Sequence, residues 1–360
     1  MFWIIFFIGA IILTILGTEK SPIKHYKFVR ALLVLFVALA AVLQSSNGSD
    51  IDNYRVRFDQ GDSWESLAYS FVFNEGLDVI EVGYGLLSFV FHKLHLGFSS
   101  MLLLCYLLIN GVFIHLIYRF RFPLLGIVAF LVSISFIQEI NIQRQMIAIA
   151  LFYLGIEQIE KGSLVKYVIC NLAAVLFHAS SLFLLPFGAL LLLNPQRHFY
   201  ITKVTCGIAW GLSILIAIGF LNIGGVFGVL IRLMGDTGYE EYLSYEYTGM
   251  GSEVSLLYQF LMFFILISKE KKNLVYVILF FIGAIFANIA SAMPALARFG
   301  FYFTAFLPLY VAQLVDENIN NNYKFISIAY CAYYFGYRIL ITVLNRVDML
   351  PDYSVLHNFV

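Results

Sequence analysis

The sequence predicts an all-α polytopic integral membrane protein, a single domain over residues 1–360 with about 10–12 transmembrane helices. Three observations carry this. Of 360 residues, 61% are hydrophobic and only 12% are charged, about half the charged share of a soluble domain. Apolar runs recur along the chain, several reaching the ~20 residues that cross a bilayer as a helix. Short loops rich in Lys and Arg punctuate those runs, as they do on the cytoplasmic side of membrane proteins. The net charge of zero leaves no basic stripe for phosphate backbones, so nucleic acid is excluded as a partner.

The runs fall at 2–17, 28–45, 82–96, 100–118, 122–138, 143–159, 167–193, 204–221, 255–268, 274–292, 299–315 and 323–341. The first, MFWIIFFIGAIILTILG, has no basic n-region and no A-x-A site, so it reads as a retained span. The loop that follows holds Lys20, Lys24, Lys27 and Arg30 and is placed inside by the excess of basic residues. Arg119 and Arg121, Lys161 and Lys166, Arg197 and Lys203, and Lys269, Lys271 and Lys272 fall on the same side. The large loops 46–81 and 222–254 then lie outside, as does the short segment 139–144. Two runs do not alternate under this scheme. Residues 82–96 are expected to lie along the outer interface as an amphipathic helix carrying His92, Lys93 and His95. Residues 167–193 are expected to enter and return, or to break, near His178–Ser181 or at Pro186, which requires protein or a wet cavity around the irregular backbone. Cys105, Cys170, Cys206 and Cys331 lie inside apolar runs without CxxC or Cys/His spacing, and read as small core residues.

This topology sorts the cations. Lysine, adequate as a topological charge, collects inside. Arg55, Arg57, Arg144, Arg232, Arg298, Arg338 and Arg346 fall outside, with Lys93 the sole lysine there. Arginine's planar fork suits phosphate and carboxylate. Arg144 precedes Lys161 by 17 residues, roughly 25 Å of helix, which puts it near the outer end of its span. Arg298 opens one span from the outer side and Arg338 lies near the outer end of another. Three such arginines can converge on one anion; the alternative is that each snorkels to lipid headgroups.

Other residues suit the same face. Asp50 and Asp52 form a D-x-D that could hold a metal or simply cap a turn after Asn47-Gly48. Asp52, Tyr54 and Glu81 could instead bind or deprotonate a hydroxyl. His178, in VLFHASSLFLLP, is either a satisfied core histidine or a group facing a wet cavity. Tyr239, Tyr242, Tyr245 and Tyr247 alternate with glutamates over 238–253, a pattern that fits sugar stacking as well as an interfacial tyrosine belt. Walker, Rossmann, HExxH and GxSxG patterns are absent, so nothing points to a nucleotide-driven enzyme.

D-x-D-x-Y (Asp50, Asp52, Tyr54), E-x-G-Y (Glu81, Gly83, Tyr84), N-x-Q-R-Q-x-I-A-x-A (Asn141–Ala150), F-H-A-S-S (Phe177–Ser181) and R-F-G-x-Y-F (Arg298–Phe303) follow in order. Together they resemble the EpsG family of Wzy-type polysaccharide polymerases over most of the chain. The resemblance implies a GT-C-like, multi-pass enzyme of the bacterial plasma (inner) membrane, with its active site facing the periplasm or exterior. It implies metal-independent, inverting glycosyl transfer without a cofactor. A growing glycan would pass from undecaprenyl diphosphate to the non-reducing end of a new undecaprenyl-diphosphate-linked repeat unit. Arg144, Arg298 and Arg338 would then bind the diphosphate. His178, Asp52 or Glu81 would act as base, and Tyr54, Tyr84, Tyr242 and Tyr245 would bind sugar. Partners would be the lipid-linked donor and acceptor, membrane lipids and, as a further candidate, a chain-length regulator. A lipid-linked oligosaccharide flippase and an O-antigen ligase-type transferase are the competing readings.

Overall fold

The computed structural model describes residues 2–19, 25–48, 50–63, 82–132, 134–191, 199–217, 274–290 and 295–316, with single positions at 259, 262, 263 and 266. Every element among them is helical. The first three α-helices are α1 (Phe2–Leu16), α2 (Tyr26–Gln44) and α3 (Ile51–Asp59). After them come α4 (Val82–Lys93), α5 (Phe98–Ile117), α6 (Pro123–Val132) and α7 (Ile134–Asn141). The chain continues through α8 (Gln143–Glu160), α9 (Leu164–Phe177), a 3-10 helix (Ala179–Leu191) and α10 (Phe199–Ala217). The last described elements are α11 (Leu274–Ala290), α12 (Ala295–Thr304) and α13 (Leu307–Asp316).

Among the described residues, three helices are long and apolar enough to cross a membrane, Tyr26–Gln44, Phe98–Ile117 and Tyr200–Ala217. Their outward faces suit lipid. On α1, Trp3, Phe6, Ala10 and Thr14 are buried while Ile4, Ile8, Ile12 and Ile15 are exposed. On α9, Val165, Ile169, Leu172 and Leu176 are likewise exposed. Such long apolar stripes at helical period would not be left against water. This is a membrane protein.

The core is a column of rings. Phe130 (α6) stacks on Phe113 (α5) with centroids 4.9 Å apart. Phe113 meets Tyr153 (α8) at 5.5 Å, and Tyr153 stacks on Phe306, just before α13, at 5.4 Å. Helices α8 and α9 form an antiparallel hairpin. Gly162, at φ 76, ends α8 in the left-handed conformation, and Ser163 N–H bonds back to Gln158 O at 2.9 Å, a glycine stop signal in its usual place.

The breaks agree with the sequence reading at His178 and depart from it near Pro308. The run 167–193 breaks at His178, whose backbone is extended (φ −156, ψ 112). Pro186 lies within the 3-10 helix that follows. The run 299–315, expected as one span, is split between α12 and α13. Proline at 308 cannot donate to Thr304 O and its ring would clash there, so the helix restarts with Pro308 in its first turn. The run 122–138 is described on either side of residue 133, as α6 and α7. The described part of helix α4 runs 12 residues, roughly 18 Å. It ends with His95 at φ 55 and Leu96 N–H on Phe91 O at 2.9 Å.

The bundle has two chemically distinct ends, roughly 30 Å apart along the 20 residues of α5. Beyond its C-terminus, Arg119 Nη1 reaches Glu160 Oε2 at 2.8 Å and Lys161 Nζ reaches Glu157 Oε1 at 2.9 Å. A cavity of about 900 Å³ opens there, bordered by Arg30, Tyr118, Arg119 and Arg121. At the opposite end, the Arg55 guanidinium on α3 lies 5.6 Å from the Phe98 ring centroid at the start of α5, where Phe58 packs on both Phe98 and His92 at the end of α4.

Candidate functional site

Helix α3 begins after Gly48 and Asp50 and carries Asp52 and Tyr54 in its first turns. Asp52 is exposed and Tyr54 is buried. The Tyr54 ring lies 5.6 Å from that of Tyr84 on α4, and Tyr84 is fully enclosed. The Tyr84 hydroxyl donates to Gln143 Oε1 at 3.4 Å. Arg144, the next residue, sets its guanidinium carbon 5.6 Å from the Tyr54 centroid. Stacking of this kind uses the π face of the cation. The in-plane N–H fork is the part of arginine that recognises phosphate or carboxylate oxygens. Helix α4 is fixed to α3 by His92, whose Nε2 lies 2.7 Å from Phe58 O and whose ring stacks on Phe58 at 4.3 Å.

His178 comes to the same end through the hairpin register. A Cβ on Gly155 would stand 3.2 Å from Asn171 Nδ2 and 3.4 Å from Cys170 Cβ, so these positions face each other. Continuing outward, His178 falls level with Ile147 or Ala148, roughly one turn from Arg144. The start of α4 lies there too: a Cβ on Gly83 would meet Leu176 O at 2.9 Å. His178 caps α9, its N–H bonded to Ala174 O at 2.9 Å, and its carbonyl accepts from Ser181 Oγ at 2.7 Å.

The R-F-G-x-Y-F segment is tied to this region through Tyr302. Its hydroxyl lies 3.0 Å from Ser180 Oγ, and its carbonyl accepts from Tyr153 Oη at 2.6 Å. Phe183 meets Phe299 edge-on at 5.5 Å. Arg298 is carried on α12 one turn before Tyr302; its side chain, Glu81, Tyr242, Tyr245, Arg338 and the loop 222–254 lie outside the described residues.

A buried polar cluster beside Arg144 was not singled out from the sequence. Glu139, Asn110 and Gln143 are each fully buried, and Asn110 Nδ2 donates to Glu139 Oε1 at 3.3 Å. Two signals could have found it: a lone asparagine in the middle of SSMLLLCYLLINGVFIHLI and a lone glutamate closing an apolar run, both of which are expensive in a membrane interior.

The arrangement sets a cation, a histidine-bearing helix break and an exposed carboxylate around one end of the bundle. That combination can stabilise a developing anion and accept a proton nearby. The family model described as the EpsG family matches residues 27–352 of the chain. No curated protein and no solved structure matches it.

Proposed function

The chain belongs to the EpsG family, a family of Wzy-like polysaccharide polymerases, and from that membership we propose a specific reaction at the Arg144 end. A growing glycan leaves undecaprenyl diphosphate for a hydroxyl at the non-reducing end of a new lipid-linked repeat unit. The acceptor oxygen forms a bond to C1 as the C1–O bond to diphosphate breaks, and C1 inverts. The hydroxyl proton goes to His178, Asp52 or Glu81, and the electron pair leaves on the diphosphate. Arg144, with Arg298 and Arg338, holds that diphosphate as its charge grows, which is where preorganised cations contribute most. Tyr54, Tyr84, Tyr242 and Tyr245 contact sugar. The fold is GT-C-like, the Arg144 end faces the outside of the plasma membrane, and no metal or cofactor takes part.

The observation that supports this reading best is the Arg144–Tyr54 stack, roughly one helical turn from the level of His178. The test is made in a host supplying the matching repeat unit, with the gene deleted and restored as wild type or Arg144→Ala at equal membrane abundance. Wild type should build a ladder of lipid-linked glycans, while the null and Arg144→Ala stop at one repeat. A full ladder from Arg144→Ala would reduce Arg144 to a lipid anchor. A null strain that polymerises but keeps its repeats on the cytoplasmic face would favour a flippase.

A further inference from the structure

The junction between α7 and α8 is held from three sides, far more firmly than a one-residue connection requires. Ile142 alone separates the helices and leaves the helical region at φ −114, ψ 50. From α5, Asn110 donates to Glu139 at 3.3 Å and to Tyr106 O at 2.8 Å. From α4, Tyr84 donates to Gln143 at 3.4 Å. From the turn after α2, Gly48 packs so closely that a Cβ there would stand 2.6 Å from Ile140 O. All three contacts fall within residues 139–143, the five that precede Arg144.

Burying a carboxyl group and an amide at full depth costs free energy, and a well-packed apolar pair would fold as readily. Three neighbouring elements contacting one elbow therefore suggest that the direction of the chain leaving it matters. We infer that Glu139 and Asn110 are positioning residues: their hydrogen bond sets the α7–α8 elbow and so aims Arg144 at the reacting diphosphate. Neither touches the substrate. This rests on the polymerase reading and deepens it, since it says how the cation is held in register. Misplacing a catalytic group by about 1 Å can cost on the order of 10²-fold in rate.

The experiment follows transfer of a radiolabelled lipid-linked repeat, with enough sensitivity for the residual rate of Arg144→Ala. Wild type, Glu139→Gln, Glu139→Ala, Asn110→Ala, Gly48→Ala, Arg144→Ala and each of the last three elbow variants combined with Arg144→Ala are compared. All rates are normalised to membrane abundance and checked against the thermal midpoint. Glu139→Gln keeps an acceptor oxygen in place and should retain the rate within ~3-fold, whereas Glu139→Ala should fall by about 10- to 100-fold. In the Arg144→Ala background the elbow variants should cost little more, because what they position is already gone. Gly48→Ala and Asn110→Ala read the same elbow from other sides if Glu139→Ala does not fold. Multiplicative losses in the double variants would overturn the inference while leaving the polymerase reading intact. So would a wild-type rate from the elbow variants, or a Glu139→Gln as inactive as Glu139→Ala. A fully active Arg144→Ala would sink this inference together with the assignment of the diphosphate to Arg144, whereas a wild-type chain that transfers no labelled repeat would sink the polymerase reading itself.

Discussion

At the residue scale, the F-H-A-S-S and R-F-G-x-Y-F segments meet at Ser180 Oγ and Tyr302 Oη, 3.0 Å apart. Tyr302→Phe removes that contact and leaves the ring in its edge-on packing against Phe152. A buried neutral hydrogen bond contributes about 1 kcal/mol, so the loss of stability should be small. The loss of transfer should be larger, because Ser180 lies two residues from His178 in a segment without α-helical bonding. Ser180→Ala should reproduce the effect, and the double variant should be no worse than either alone. Equal activity at equal abundance would show the contact to be packing only. The sequence could nominate His178 and Arg144 because a titratable or charged group in an apolar run stands out. It could not nominate Tyr302, one of 23 tyrosines, or the Glu139–Asn110 pair, because only the fold makes their partners adjacent.

At the element scale, the helices were legible, as was the break at His178, while the restart at Pro308 was not. Hydrophobic runs mark where lipid-compatible helix lies, but a break depends on what is packed against it. His178 ends α9 where α4 crosses close to Leu176, and Pro308 restarts α13 where it meets α6. That second contact makes a sharp prediction. A Cβ on Gly126 would stand 2.8 Å from Ala312 Cβ, 2.7 Å from Ile117 Cγ2 and 3.2 Å from Pro308 O. Gly126→Ala should therefore push α6 and α13 apart, and overpacking of this kind costs typically 1–3 kcal/mol. Gly211 on α10 has nothing within 4 Å of an added Cβ, and there alanine should gain up to about 1 kcal/mol from helix propensity. Thermal midpoints of the two purified variants in one detergent test the pair. A Gly126→Ala as stable as wild type would mean that α13 does not pack on α6 this tightly.

At the scale of the whole molecule, the charged residues that the sequence reading put on opposite sides lie, among the described residues, at opposite ends of the bundle, roughly 30 Å apart along α5. One end carries Arg30, Arg119, Arg121 and Lys161; the other carries Asp52, Arg55 and Arg144. Packing alone does not say which end faces the cytoplasm. The positive-inside rule predicts that it is the end with Arg30, Arg119 and Arg121, and the proposed chemistry depends on that prediction, since the lipid-linked repeats would be joined at the outer face. Cysteine labelling decides the matter. In a background with Cys105, Cys170, Cys206 and Cys331 replaced by alanine, Asp52→Cys and Arg121→Cys each place one thiol at an exposed position. In intact spheroplasts a membrane-impermeant maleimide should label Asp52→Cys and spare Arg121→Cys until the membrane is permeabilised. The reverse pattern would put Arg144 and His178 on the cytoplasmic side. The arginines at that end would then need another explanation, and polymerisation at the outer face would have to be abandoned.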